Sequence, residues 1–262
     1  MEYDNESGSG MTSGPVDSMR ISVVLSRSAC FLALISAVVA ILAGFGSRAG
    51  WWHFRTGFQI LTWAAFGGLG SALIGLIGCL TALHRAQWRG ALLALVGLVV
   101  GLLVFGIPWH MKRVAQGVPP IHDITTDTEN PPRFAAVLPL RKDAANPANY
   151  GGPEIAAQQR AGYPDIQPLT LRIPSQQAFT QALQAAEAMG WDIVAANPTE
   201  GRIEATDTTF WFGFKDDIVV RIQALGDGSR VDVRSVSRVG KSDVGANAQR
   251  IRAYLRTLSR AG

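Results

Sequence analysis

The sequence predicts an α+β protein in two parts: three N-terminal transmembrane helices, then a small antiparallel-sheet domain with helices on one face. Three observations carry this. Between Ser18 and His122 there is no Asp or Glu, although the stretch holds six Arg besides Lys112 and Arg113. Nine of the 13 prolines fall between Val118 and Pro168. From Leu169 onward, period-two alternation dominates, interrupted by two segments of helical spacing.

The apolar spans come first. Of 262 residues, 48% are apolar and 17% charged, against roughly a quarter charged in an ordinary soluble domain. With the acid-free stretch, this excludes a plain soluble protein, an acidic disordered chain and a disulfide scaffold. Residues 1–20 read as a disordered tail. Residues 21–111 read as a three-helix anchor with spans at Ala29–Gly46, Phe58–Leu83 and Ala91–Trp109, because about 20 apolar residues rising about 1.5 Å each cross a bilayer core. Trp51, Trp52, Trp63, Trp88 and Trp109 fall at or near the span ends, where amphipathic rings favour the interface. Arg20 and Arg27 ahead of the first span also suit a cleaved signal peptide, but the run is long and two spans follow, which favours a retained anchor. Ser36, Ala40 and Gly44, then Gly67, Ser71 and Gly75, then Gly97 and Gly101, form small-residue stripes of the kind that lets membrane helices approach closely. No ionisable group lies at membrane depth, so transport by these helices alone is not expected. Cys30 and Cys79 both lie in apolar runs and give neither a bridge pattern nor metal-ligand spacing.

Orientation is balanced by charge. Arg20, Arg27, Arg85 and Arg89 share one side, and Arg48, Arg55, Lys112 and Arg113 the other. The usual dominance of the first helix favours a cytoplasmic N-terminus, which places everything after Trp109 outside the cytoplasm.

Residues 112–168 form a proline-rich segment. Proline lacks an amide donor and biases its predecessor towards extended backbone, so long helix is excluded. A disordered spacer is one reading. The other is an extended segment wrapped on the following domain, favoured by Ile121, Ile124, Phe134, Val137, Leu138, Leu140, Tyr150, Tyr163 and Ile166, which are many large apolar groups for a solvated linker. Ala144–Gly162 reads as its loosest portion.

Residues 169–262 read as a soluble domain of order β-α-β-β-β-β-α. Leu169–Ile173 alternates as a strand. Ser175 offers an N-cap to a helix whose Phe179, Ala182, Leu183, Ala186 and Met189 share a face, stopping at Gly190. Trp191–Ala196 and Arg202–Thr209 read as strands around Asn197-Pro198. Phe212–Leu225 and Arg230–Arg238 flank Gly226-Asp227-Gly228, a hairpin signal. Ser242 or Asp243 caps a last helix in which Ala248, Ile251, Leu255 and Leu258 align. Successive strands with short turns imply an antiparallel sheet covered by helices on one face.

Several of these segments carry a resemblance. Ile121 to Phe134 (IHDITTDTENPPRF), Tyr163-Pro-Asp-Ile166, Gly190-Trp191, Ile203-Glu-Ala-Thr-Asp207, Gly213-Phe-Lys-Asp-Asp-Ile218, Val231 to Gly240 (VDVRSVSRVG) and Ser242 to Asn247 resemble an uncharacterised, largely bacterial family, the domain of unknown function 1499. The likeness covers about Pro119 to Leu258, and members similarly carry N-terminal spans. It implies no established activity, substrate or catalytic residue.

Alternation also sorts the charges. Val231, Val233, Ser235 and Ser237 share one face, with Asp232, Arg234 and Arg238 opposite. Glu204, Asp217 and Arg221 join that opposite, polar face. It reads either as a solvated surface of cross-strand ion pairs or as an anion-recognition face, since Arg forks suit carboxylate and phosphate. The candidate ligand-binding residues are Arg221, Arg234, Ser235, Ser237, Arg238, Ser242, Asp243 and Asn247, with Glu204, Asp207, Asp216, Asp217 and Asp232 as a supporting polar network. Free amides at the start of the last helix offer a second anion site beside Arg238.

Catalytic signals are thin, and no catalytic residue is assigned. No cysteine follows Cys79, so Cys nucleophiles and zinc clusters are excluded from the soluble part. Asp216-Asp217 lacks the dense acidic loop a hard cation needs, so no metal or other cofactor is expected. No nucleophile-elbow or phosphate-cradling glycine motif is present. Arg252, Arg256 and Arg260 align on the last helix as a solvated face or a contact to anionic headgroups. From residue 110 onward, 18 Lys and Arg stand against 16 Asp and Glu, so nucleic acid is not an expected partner. The leading expectation is a non-enzymatic module of the bacterial envelope, multi-pass in the cytoplasmic (inner) membrane with a periplasmic domain, binding an anionic ligand, lipid headgroup or protein partner. Beside it stand a tethered hydrolase using His122 with an acid or serine, and an assembly subunit of a larger membrane complex.

Overall fold

The computed structural model describes residues 15–261. The chain divides into two compact units at the His110–Met111 boundary.

In the first unit lie α1 (Pro15–Arg48), α2 (Phe54–His84) and most of α3 (Trp88–Gln116). All three helices are long and apolar enough to span a membrane. At 34, 31 and 29 residues they outrun the expected spans, because about 20 residues suffice for the hydrocarbon core and the remainder extends into the interfaces. Helix α1 also takes up the end of the expected 1–20 tail, starting at Pro15, where a fixed φ suits a first turn. The rest of that tail, residues 1–14, lies outside the described residues.

The packing inverts the rule for soluble cores. Ala29, Ala33, Ala72 and Ala94 are buried while Phe31, Leu80 and Leu92 are each at least 60% exposed, as expected where lipid is the solvent and small residues make the contacts. The Ser71 hydroxyl lies within hydrogen-bonding distance of the carbonyls of Ala29 (2.8 Å) and Gly97 (3.0 Å), tying all three helices together. A Cβ at Gly101 would come within 2.4 Å of the Gly68 carbonyl, and one at Gly97 within 2.7 Å of the Ala29 methyl. The small-residue stripes are thus spent on contacts within this bundle.

The second unit contains a six-stranded antiparallel sheet: β1 (Asp123–Thr125), β2 (Leu169–Leu171), β3 (Asp192–Asn197), β4 (Arg202–Thr208), β5 (Lys215–Leu225) and β6 (Gly228–Ser237). The order is β1-β6-β5-β4-β3, with β2 beside β1 along the same edge of β6. Helices α5 (Ser175–Ala188) and α6 (Ala246–Ala261) cover one face. Their buried Phe179, Ala182, Ile251 and Tyr254 meet Ile203, Ala205, Ile218, Val220, Val231 and Val233 in the main core. Trp191 stacks on Tyr254, whose hydroxyl donates to the Ala182 carbonyl at 2.8 Å and joins the two helices. Gly226, at φ +57°, opens the two-residue β5–β6 loop, a conformation that favours glycine. Pro174, not Ser175, occupies the N-cap of α5 and makes no side-chain cap.

The proline-rich segment is ordered and wraps the sheet as a strap. It supplies β1, a 3-10 turn (Leu138–Arg141) and α4 (Pro153–Gly162). Phe134 and Val137 bury against Val219 and Val236 on the sheet face away from α5 and α6. Ala144–Gly162, expected to be its loosest part, is tied down. The Asn146 side chain donates to the carbonyls of Ser237 (3.0 Å) and Gly240 (2.8 Å). The Gln159 amide exchanges two hydrogen bonds with the Thr125 backbone, at 3.0 and 2.6 Å. The ten-residue helix α4 starts at Pro153, where proline at the first position has no amide to lose.

Candidate functional site

The polar residues grouped by alternation, and those at the start of the last helix, are engaged by the chain's own charges and amides. On the strap side, Glu204 is fully buried. Its carboxylate accepts the amides of Ala135 (3.0 Å), Ala136 (3.1 Å) and Val137 (2.9 Å) and pairs with Arg202 Nε at 3.0 Å. Asp217 accepts a two-pronged Arg238 fork at 2.9 and 2.8 Å, the Thr206 hydroxyl at 2.7 Å and the strap's Arg141. Arg234 forks onto Asp123 at 2.9 and 2.7 Å, donates to the carbonyls of Pro132 and Ala148, and lies between the rings of Phe134 and Tyr150. Arg221 and Arg230 share Asp127 and Asp232. The face is therefore neither solvated nor an open arginine surface. The strap supplies Asp123, Asp127 and Arg141, so buried charges meet partners instead of water.

On the helix side, Arg250 reaches Asp207 (2.8 Å), Asp216 (2.6 Å), Ser235 (3.1 Å) and Asn247. Asn247 accepts from the Ser235 hydroxyl and donates to Ser237 Oγ and the His122 carbonyl. The expected anion site at the start of α6 is occupied. Asp243 accepts the amides of Gly245 (2.7 Å) and Asn247 (2.9 Å), and Ser242 accepts that of Val244. Burial raises the Asp243 carboxyl pKa above its ordinary range, the two amides pull it back and Asp216 adds to the rise. Asp216 and Asp217 point to opposite faces of the sheet, which is why adjacent carboxylates form no chelating pair. Among the described residues, no group of three His, Cys, Asp or Glu could hold a metal.

His122 enters beside Ser237 but makes no catalytic contact. Its ring nitrogen Nδ1 faces the Lys241 carbonyl at 3.3 Å, while the Ser235 and Ser237 hydroxyls are held by Asn247. Among the described residues, His122 forms no hydrogen bond with a serine or a carboxylate, the geometry a hydrolase of this kind needs.

Open clefts lie beside the strap, and a further one of about 500 Å³ is lined by Ser175, Thr199, Glu200 and Ile222. Two clefts, of about 210 Å³ and about 510 Å³, share Asn130, Pro131 and Arg133 as lining. Arg202 and Arg221 line the smaller; Phe134, Leu138, Tyr150 and Arg234 line the larger. Arg133 is exposed, and none of the ion pairs formed among the described residues involves it. Two buried polar atoms of the lining residues, Arg221 Nε and Tyr150 Oη, have no hydrogen-bond partner among the described residues. The Tyr150 pKa is pushed up to about 12, first by burial and then by Asp123, so the phenol stays a donor at neutral pH.

Sequence reasoning missed Asp123, Asp127, Arg141, Arg202, Arg230 and Arg250 as members of these networks, and Arg133 as lining of the clefts. A signal was present: the polar face carries arginines that need carboxylates, and the strap brings Asp123 and Asp127 four residues apart. The stripe on α6 is split by the fold, since Arg252 pairs with Asp165 at 2.6 Å and packs on the Tyr163 ring, while Arg256 and Arg260 are exposed.

A search of the curated proteins finds no match to the chain. The family of proteins of unknown function DUF1499 matches residues 123–258, which run from the first residue of β1 into α6 and take in both buried networks. That segment is more than half of the polypeptide, and the chain belongs to the DUF1499 family.

Proposed function

We propose that this membrane protein is a non-enzymatic binding module, and that its C-terminal domain takes a small anion at Arg133. The observation that carries the reading is a guanidinium that forms no ion pair among the described residues, at the wall between two clefts that also hold Glu200 and Glu129, in a domain whose other face-lining arginines are each matched to a carboxylate. The orphaned Arg221 Nε and Tyr150 Oη supply further donors nearby. The shared chemistry is a carboxylate or phosphate, carried by a soluble metabolite or by a lipid headgroup.

The test is isothermal titration of the full chain in detergent with inorganic phosphate, acetate and glycerol phosphate, wild type against Arg133→Ala. A charge-assisted hydrogen bond contributes about 1.5–3 kcal/mol, so Arg133→Ala weakens binding about tenfold to a hundredfold. Binding of none of these anions, or binding indifferent to Arg133→Ala, removes the proposal. Arg234→Ala and Arg238→Ala are unsuitable probes, because both side chains hold the fold together.

The proposed setting is the bacterial cytoplasmic membrane with the domain on the outer side. The acid-free, arginine-flanked spans and the dominance of the first helix support it. A reporter active only outside the cytoplasm, fused after Gly262, is expected to be active. An inactive reporter places the domain inside.

A further inference from the structure

We infer that the ligand is the phosphate ester of a polyhydroxylated ring, with its phosphate in the smaller cleft and its ring in the larger, a reading that rests on the Arg133 anion site and names the class of molecule it takes. The two clefts differ in size in the required sense. At about 210 Å³ the smaller falls below the roughly 300–1,000 Å³ of cavities that enclose a whole small molecule, and at about 510 Å³ the larger falls within that range. They differ in charge in the same sense. The smaller is lined by Arg133, Arg202 and Arg221 against one carboxylate, Glu200. That carboxylate is already held, by Arg202 at 2.6 Å and by the Asn197 side chain at 2.8 Å. Guanidinium forks suit a tetrahedral oxyanion, which offers several oxygens at once.

In the larger cleft the charges are spent. Arg234 is taken up by Asp123 and two carbonyls, and Glu129 pairs with Arg160 at 3.0 Å. What is left is neutral and polar. Asn130 and Asn149 are exposed in the lining, and among the described residues their side-chain amides make no hydrogen bond. A carboxamide carries a donor and an acceptor side by side, the complement of a hydroxyl that does both. Tyr150 Oη is closed off and unpartnered, so turning it towards the cleft that its ring lines gives up no hydrogen bond. Its pKa, pushed up to about 12, keeps it a donor. An unpaired buried hydroxyl costs the free domain stability, a cost that a hydroxylated ligand relieves.

The apolar lining is too small for an acyl chain. Phe134 is buried, with the guanidinia of Arg141 and Arg234 over its ring, which leaves Leu138, 45% exposed, as the large aliphatic side chain of the cleft. One such side chain covers a face of a sugar ring, whereas a run of methylenes would stay in water. Free sugar phosphates and the phosphoinositol heads of lipids share this chemistry: the first are monoesters, the second diesters.

The experiment is isothermal titration of the full chain, in a detergent without a sugar headgroup, with inorganic phosphate, glucose 6-phosphate, glycerophosphoinositol and butyl phosphate. A neutral hydrogen bond is worth about twofold to tenfold in affinity. At least one of the two ring esters is therefore expected to bind about tenfold or more tighter than inorganic phosphate, and butyl phosphate to stay within about threefold of it. Preference for glucose 6-phosphate identifies a free monoester, and preference for glycerophosphoinositol a lipid head. Asn149→Ala and Tyr150→Phe each narrow the advantage over inorganic phosphate by about twofold to tenfold, while Arg133→Ala weakens every phosphate. Tyr150→Phe also raises the melting temperature of the unliganded chain, because it deletes an unpaired group and keeps the ring beside Arg234. Ring esters that bind no tighter than inorganic or butyl phosphate, or an advantage indifferent to both substitutions, overturn the inference and leave the Arg133 reading standing. Silence from every phosphate also overturns it, and with acetate silent too the Arg133 reading falls as well.

Discussion

Replacing Glu204 with alanine is expected to release the strap from the sheet. The carboxylate is the acceptor for three consecutive strap amides, those of Ala135, Ala136 and Val137, and a partner of Arg202. A buried donor left without an acceptor costs about 1–3 kcal/mol, and breaking a buried ion pair from one side costs about 3–5 kcal/mol. The two penalties describe the same desolvated groups and do not add, so the expected loss is about 3–5 kcal/mol, a large share of the roughly 5–15 kcal/mol that stabilises a domain. If the loss is local, amide exchange in residues 133–137 accelerates by at least about a hundredfold, at about 1.4 kcal/mol per factor of ten. Glu204→Gln keeps the shape and one acceptor oxygen, and is expected to fall between wild type and alanine. Hydrogen–deuterium exchange with peptide-level mass spectrometry on the full chain in detergent reads both variants. Exchange at 133–137 that changes less than about threefold in Glu204→Ala refutes the view that this carboxylate pins the strap.

Other substitutions separate buried from exposed chemistry. Arg250→Ala strands Asp207 and Asp216 and is expected to cost about 3–5 kcal/mol, whereas Arg252→Ala, whose partner Asp165 is half exposed, costs less than about 1 kcal/mol; pulse proteolysis of the domain in urea compares them. Asp243, with its pKa raised mainly by burial, is stabilising when protonated. That contribution is fully present below the ordinary carboxyl pKa and is lost as pH rises through the folded value. Asp243→Asn is therefore expected to remove that loss, so that stability falls less, or rises more, with increasing pH across the weakly acidic range, and a profile of unchanged slope contradicts this. In the helical unit, Gly101→Ala drives a methyl against the Gly68 carbonyl and lowers the melting temperature in detergent, while Gly106→Ala, whose methyl meets nothing within 4 Å, does not.

The architecture was legible because two periodicities differ so plainly. Acid-free runs of 18 residues or more in 262 leave few folds besides membrane spans, and strict alternation in Ile203–Asp207 and Val231–Ser237 placed each side chain on the face where it is found. The strap was harder. Prolines forbid a repeating pattern, so its order rests on single side chains, Gln159 on Thr125 and Asn146 on Ser237, that no period announces. The candidate site suffered for the same reason. Alternation correctly grouped Glu204, Asp217, Arg221, Asp232, Arg234 and Arg238, but whether such a face meets water, a ligand or another part of the chain depends on long-range closure. Asp123 lies 111 residues from Arg234, and nothing local links them.

That closure bears on how the family's signature should be read. The segments that carry the resemblance are dominated by the charged residues of the two networks: Asp123 and Asp127, Glu204 and Asp207, Asp216 and Asp217, Asp232, Arg234 and Arg238. Every one of them has its partner inside the domain. A buried ion pair replaced by apolar residues is often no less stable, but one broken from a single side is severely destabilising, so such pairs constrain a sequence strongly without contacting any ligand. They also select a register, since slipping the strap by one residue would set Asp123 and Asp127 against the wrong guanidinia. The recognisable residues of this domain therefore specify how the strap closes over the sheet. Binding, if it is to discriminate among ligands, has to draw on groups the closure leaves unspent, and in this chain those include Arg133 at the clefts.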